Sequence, residues 1–122
     1  MADNEFAASV QKDHGLPVIR LRGDVNSFAE TELNAAYNQA TAGNPSGVLL
    51  NFEDVTYMNS TGIALVVALL AQARKAHIQL LVCNLSEHYR HIFNITRLAD
   101  FMHIHEDEAS ALAEVTAAAA EK

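Results

Sequence analysis

Two hydroxyls stand side by side in the run Met58-Asn59-Ser60-Thr61-Gly62, between the apolar stretches VLLNFEDVTY and IALVVALLAQA. A serine hydroxyl in such a place has three chemistries open to it. It can attack a substrate if a base takes its proton, accept a phosphoryl group from another protein, or cap a helix. The first is disfavoured here. No general base is evident in the run: Asp54 lies six residues before Ser60, and the Asn59 amide takes no proton. The other two are compatible. Ser60 can cap a helix beginning at Thr61, and Asn59 can cap it instead, for about 1 kcal/mol. The unpaired N–H groups and positive dipole end of a helix start also suit a phosphate.

Other residues with chemical potential carry less. His88 and His91 are three apart on an expected helix, and His103 and His105 two apart on an expected strand, so each pair shares a face. No cysteine or carboxylate cluster supports them at metal-ligand spacing, and no metal is expected. Glu53 and Asp54 are adjacent, so they point to opposite sides, and a solvated turn accounts for them. The single cysteine, Cys83, lies in the apolar run IQLLVCNL and reads as a small core residue. There is no phosphate-binding glycine loop of the Walker type, and the glycines are assigned to turns. No cofactor is called for.

The elements around these residues follow from periodicity. FAASVQKDHG can supply an edge strand with a turn at Asp13 to Gly15. PVIRLRG alternates, with Ile19 and Leu21 on one side and Arg20 and Arg22 on the other, and the two strands can form a hairpin. SFAETELNAAYNQATAG is helical. Ser27 and Glu30 have capping-box spacing, and Phe28, Leu33, Ala36, Tyr37 and Ala40 can share a face. VLLNF suits an interior strand covered on both sides. A loop from Glu53 to Ser60 leads to a helix from about Thr61 to Ala76, whose stripe Ile63, Val66, Val67, Leu70 with Leu69 and Ala73 reads as core. IQLLVCNL is a further interior strand, Ser86 can cap the helix EHYRHIFNITRL, FMHIH is a last strand, and EDEASALAEVTAAAA is a terminal helix with acids in its first turn. Strands alternating with helices imply parallel βαβ units with right-handed crossovers, and sites in such sheets gather beyond the carboxyl ends of the strands.

Composition sets the class. The chain has 122 residues, half of them apolar, which is enough for one domain around one sheet; that domain is taken as 1–122 with a core of about 16–115 and an acidic, mobile start at Met1 to Glu5. A formal charge of -7, with eight scattered basic residues, argues against nucleic acid or an anionic membrane as partner. The longest apolar run, Ile63 to Ala71, is far short of the roughly 20 residues that a membrane span needs. The start lacks the features of a signal peptide, so the cytoplasm is expected. Nothing argues for more than a monomer.

Taken in order, RLRGDVNSFAETELNAAY, VLLNFEDVTYMNSTGIALVVALLAQARK and IQLLVCNLSEHYRHIFNITRLADFMHIHEDEASALAEV resemble the STAS domain, and in particular the bacterial anti-sigma factor antagonists that consist of it. The likeness runs from about Val18 to Val115. It includes the early Gly-Asp, the N-F-E-D-V strand and turn, the Asn/Asp-Ser-Ser/Thr-Gly knot and the late F-x-I-T-x-L. It implies an α/β fold with a central mixed sheet and about four flanking helices. It also implies a non-enzymatic signalling protein that binds an anti-sigma factor with serine kinase activity, is switched off by phosphorylation, and is reset by a phosphatase. Ser60 matches the phosphorylated serine. Gly23, Asp24 and Asn26 match the loop that helps to meet the partner, and Asn59, Thr61 and Gly62 shape the rest of the docking surface. Asn59 stands where the family usually has Asp, Thr61 where Ser is commoner, and KAHIQ where a Gly is frequent. A second reading is a STAS adaptor bound to the ATPase of a lipid-transport system, without a phosphorylation cycle.

Overall fold

The alternation in PVIRLRG sets the first layer of the protein. In the computed structural model, which describes residues 5–12 and 16–120 and side chains to residue 114, β2 (Val18–Val25) buries Ile19 and Leu21 while Arg20 and Arg22 are exposed. β1 (Ala7–Gln11) runs antiparallel beside it, with Ala7 opposite Arg22 and Gln11 opposite Val18. The expected hairpin is therefore present, although its turn at Asp13 to Gly15, like the acidic start before Glu5, lies outside the described residues. β3 (Gly47–Met58), β4 (Gln79–Cys83) and β5 (His103–His105) follow in parallel, so the order in the mixed sheet is the order in the chain.

Four helices among the described residues flank this sheet: α1 (Glu30–Ala40), α2 (Ser60–Lys75), α3 (Glu87–Ile95) and α4 (Glu108–Ala120). α1, α2 and α3 bury Leu33, Tyr37, Val66, Leu69 and Phe93 against Ile19, Leu21, Val48, Leu50, Phe52, Leu80 and Val82. α4 covers the opposite face, where Ala111 meets Val18, Leu49, Leu81 and Cys83. β3 and β4 are buried on both sides along their shared stretch, which is why their sequences are almost continuously apolar. Burial pushes the Cys83 thiol up to about 12, helped by the Glu108 and Asp107 carboxylates, so it stays a neutral core group.

α4 is tied down at its first residue. Glu108 takes a two-pronged contact from Arg20, at 3.0 Å from Nε and 2.8 Å from a terminal nitrogen. Asn51, the buried polar residue of β3, donates to the same carboxylate at 2.6 Å and accepts from the Glu53 N–H at 2.8 Å. Arg20 also meets Gln11 of β1.

Several expectations change. The loop placed from Glu53 to Ser60 is strand as far as Met58. β2 continues to pair with it, Arg22 with Asp54 and Val25 with Met58, through two register irregularities. Those shifts break the simple alternation that marks a strand. Ser27 and Glu30 form no capping box: Asn26 caps a 3-10 turn over Ser27–Ala29, and α1 begins after it without a side-chain cap. Phe28 therefore leaves the inner face of the helix and is 91% exposed. Val67, expected in the core stripe, is 39% exposed. The segment EHYRHIFNITRL breaks at Arg97, whose φ of 68° ends the helix before a 3-10 turn at Leu98–Asp100. The final strand is shorter than FMHIH.

Candidate functional site

The polar knot sits where β3 ends and α2 begins, beside the end of β2. Asn59, extended at φ -91°, is the cap of α2: its Oδ1 accepts from the Gly62 N–H at 2.8 Å, and its carbonyl accepts from Ile63 N at 3.0 Å. Its own N–H donates to the Val25 carbonyl at 3.3 Å. So the helix starts at Ser60, one residue earlier than expected, and Asn59 takes the capping role rather than Ser60. The Ser60 hydroxyl is exposed and makes no hydrogen bond among the described residues. Thr61 beside it is exposed too.

Gly62 is buried in the first turn of α2, with the Val25 backbone against it. A Cβ there would lie 1.9 Å from the Val25 carbonyl oxygen. Glycine is required because helix and strand backbones touch, not because a turn needs it. The residue contributes no exposed group at this end of the sheet. Gly23 is similar. It is buried at the second irregularity of β2, and its φ of 87° is a conformation that residues with a Cβ seldom adopt.

Asp24 and Asn26 reach the same end of the sheet. The Asp24 carboxylate accepts from the Thr56 hydroxyl at 2.6 Å, tying β2 to β3. Asn26 Oδ1 accepts from Phe28 N at 3.0 Å, and its carbonyl accepts from Ala29 N at 2.9 Å. Asn26 thereby fixes the 3-10 turn that carries Phe28, and this turn packs against α2. Tyr57, 55% exposed, pairs in register with Asp24. The sequence motif did not single out Phe28 and Tyr57; their helix and strand periodicity suggested burial or nothing.

Tyr89 of α3 was also missed. Its hydroxyl accepts from Met58 N at 2.7 Å and donates to Met58 O at 3.3 Å, holding the last residue of β3. Ser86 caps α3 as expected, accepting from Tyr89 N at 3.3 Å. The only hint in the sequence was that cap, which fixes the position of Tyr89 in the first turn.

The histidines do not join this site. His88 and His91 are exposed on α3. His103 Nδ1 and His105 Nε2 lie 2.8 and 2.6 Å from the two oxygens of Glu114, the second contact without hydrogen-bond alignment. Among the described residues no group of three or more His, Cys, Asp or Glu is arranged to hold a metal ion. No described helix is long and apolar enough to cross a membrane.

A five-stranded mixed sheet with four helices among the described residues, and an exposed serine with no hydrogen bond among them at the start of the second helix, defines a small α/β domain. The family model described as STAS domain matches residues 7–111, and the chain belongs to that family. An anti-sigma-B factor antagonist of Staphylococcus aureus (strain NCTC 8325 / PS 47) is 27% identical over 88 residues, covering 72% of this chain and 82% of the relative. Among solved structures, an anti-sigma factor antagonist from Mycobacterium paratuberculosis superposes with a TM-score of 0.77 at 16% identity, over 94% of this chain and 97% of that one. The Bacillus cell fate determinant SpoIIAA in the phosphorylated form gives 0.68 at 24% identity, over 89% and 99%.

Proposed function

We propose that this protein is an anti-sigma factor antagonist of the cytoplasm. It binds an anti-sigma factor that is also a serine kinase, and phosphorylation of Ser60 releases it. The observation that carries the reading is the division of labour at the start of α2. Asn59 supplies the cap, so the exposed Ser60 hydroxyl is chemically idle in the fold. A residue without a structural task can be modified without unfolding the protein. The phosphate would sit at the amino end of a long helix, where N–H groups and the dipole favour an anion.

Release follows from charge and bulk. A phosphoserine adds about -1.5 to -2 charges at neutral pH. Here it would be added where three elements meet that carry the exposed, large apolar side chains Phe28, Tyr57 and Val67. Burying that charge in an interface without a matched cation is costly. Asp24, Asn26, Asn59 and Thr61 complete the docking surface, with Gly23 and Gly62 supporting it from below. A phosphatase restores the unmodified state, the working unit is a monomer, and the chain itself catalyses nothing. With Asn59 in place of the usual acid, the phosphate meets no neighbouring carboxylate at the cap position.

The test is incubation with ATP and an extract of the source organism, followed by localisation of phosphate by mass spectrometry. Phosphate at Ser60, absent in Ser60→Ala, is expected, together with loss of anti-sigma factor binding in Ser60→Asp. No phosphate at Ser60 combined with undiminished binding by Ser60→Asp would sink the switch, and co-purification with a transport ATPase would favour the adaptor instead.

A further inference from the structure

We infer that Tyr89 is a positioning residue for Ser60: its hydroxyl stands in for a missing strand at the end of β3 and so fixes how the serine is presented. The inference rests on the phosphoacceptor reading of Ser60, but its structural half stands on separate observations.

β3 outruns its neighbour. The last pair it forms with β4 is Asn51 with Cys83, whereas β3 continues to Met58. Along that overhang β2 is present on one side only. Backbone groups alternate in direction along a strand, and the N–H and C=O of one residue point to the same side. The Asn59 N–H is aimed at β2, where it meets the Val25 carbonyl. Both polar groups of Met58 are therefore turned toward the side that β4 has left. A cleft of about 160 Å³ opens there, walled by Phe52, Val55, Leu85 and Tyr89.

Met58 is buried, so its backbone cannot rely on bulk water. One hydroxyl solves this. A tyrosine O–H both donates and accepts, and Tyr89 does both to the same residue, as a paired strand would. Phenylalanine fills the same volume and can do neither. Threonine or serine at position 89 would lack the reach of the ring.

Presentation of Ser60 follows from this tie. Met58 is held by α3, Asn59 by β2, and the Asn59 side chain closes on Gly62, with Ser60 spanned between them. Phosphoryl transfer is governed by alignment of the attacking oxygen, and a displacement of about 1 Å can cost a hundredfold in rate. Docking residues such as Phe28 and Val67 lie on other elements and do not depend on Tyr89. Loss of the tie should therefore slow the transfer step and leave recognition in place.

The experiment compares wild type with Tyr89→Phe in two measurements. Amide hydrogen exchange is expected to accelerate about tenfold at Met58, with Leu49, Leu50 and Asn51 unchanged. Unchanged exchange at Met58, or equal acceleration throughout β3, would overturn the inference. Phosphorylation at Ser60 is then followed with ATP and an extract of the source organism, varying the concentration of this protein. The expected result is an apparent kcat lowered about tenfold with KM changed less than about twofold. An unchanged kcat, or a loss wholly in KM, overturns the positioning role. Wild-type protein that takes no phosphate overturns the antagonist reading instead, and Met58 exchange still decides whether Tyr89 holds the loop. In the unaltered protein, a slowly exchanging Tyr89 hydroxyl proton in the NMR spectrum is a further expected sign; its absence would count against the tie.

Discussion

Asn59 and Ser60 are neighbours of similar polarity, yet they do different work. Asn59 gives its amide oxygen to the first turn of α2, whereas Ser60 gives nothing to the fold. Asn59→Ala should cost about 1 kcal/mol in chemical denaturation, the usual loss of a cap. Ser60→Ala should stay within about 0.5 kcal/mol of wild type. Equal losses for the two would mean that the cap is shared and that Ser60 is not idle. The sequence narrowed the cap to these two residues but could not choose, because both are good caps and a one-residue change in helix start leaves the apolar stripe of α2 nearly intact. What decides is a tertiary contact. The Val25 carbonyl holds the Asn59 N–H in the extended strand and presses against Gly62, which fixes the helix start at Ser60. The same blindness applied to Tyr89, whose partner is 31 residues away in the chain.

At the scale of elements, the alternation of strands and helices, the parallel crossovers and the helix count were legible because they follow from apolar periodicity, whereas the order of the strands across the sheet was not read from it. The ends of elements were not. EDVTY reads as a polar loop, and it is strand only because β2 extends alongside it through irregular register. Phe28 has the right spacing for the inner face of α1, but the Asn26 cap inserts a 3-10 turn and rotates it outward. α4 shows a cap of a different kind, and it is sensitive to acid. Asp107 Oδ1 accepts from Ser110 N at 2.8 Å, and this bond holds the Asp107 carboxyl below its ordinary value. A carboxyl depressed in the folded state stabilises the fold above its ordinary value, and that contribution is lost as pH falls through the lower folded value. The Ser110 amide resonance should thus titrate below the ordinary aspartate range in the native protein, and Asp107→Asn should abolish that titration. A midpoint within or above the ordinary aspartate range would mean that the carboxylate is not held by this bond.

At the scale of the whole molecule, three of the five exposed large apolar side chains among the described residues lie on elements that meet at Ser60; Ile95, at the end of α3, and Phe101 do not. Phe28, Tyr57 and Val67 lie on the 3-10 turn, the end of β3 and the first half of α2, the elements that meet at Ser60. Phe101 is 51% exposed, but it lies with Arg74, His77 and Gln79 by the amino end of β4, and the Arg74 guanidinium stacks on its ring at 5.1 Å. The two aromatics therefore make a matched pair for asking which end of the sheet meets a partner. Phe28 touches water on nearly all of its surface in the free protein, and its turn is already fixed by Asn26, so little ordering opposes its burial in a complex. Aromatic side chains that become enclosed at the centre of an interface dominate its energy. Phe28→Ala should weaken binding of the proposed anti-sigma factor kinase about tenfold or more by calorimetry. The thermal midpoint should not fall, because no packing in the free domain is lost. Phe101→Ala should leave the affinity unaltered. If Phe101→Ala weakens binding and Phe28→Ala does not, the partner sits at the amino ends of the strands, and a charge at Ser60 could not displace it by direct repulsion.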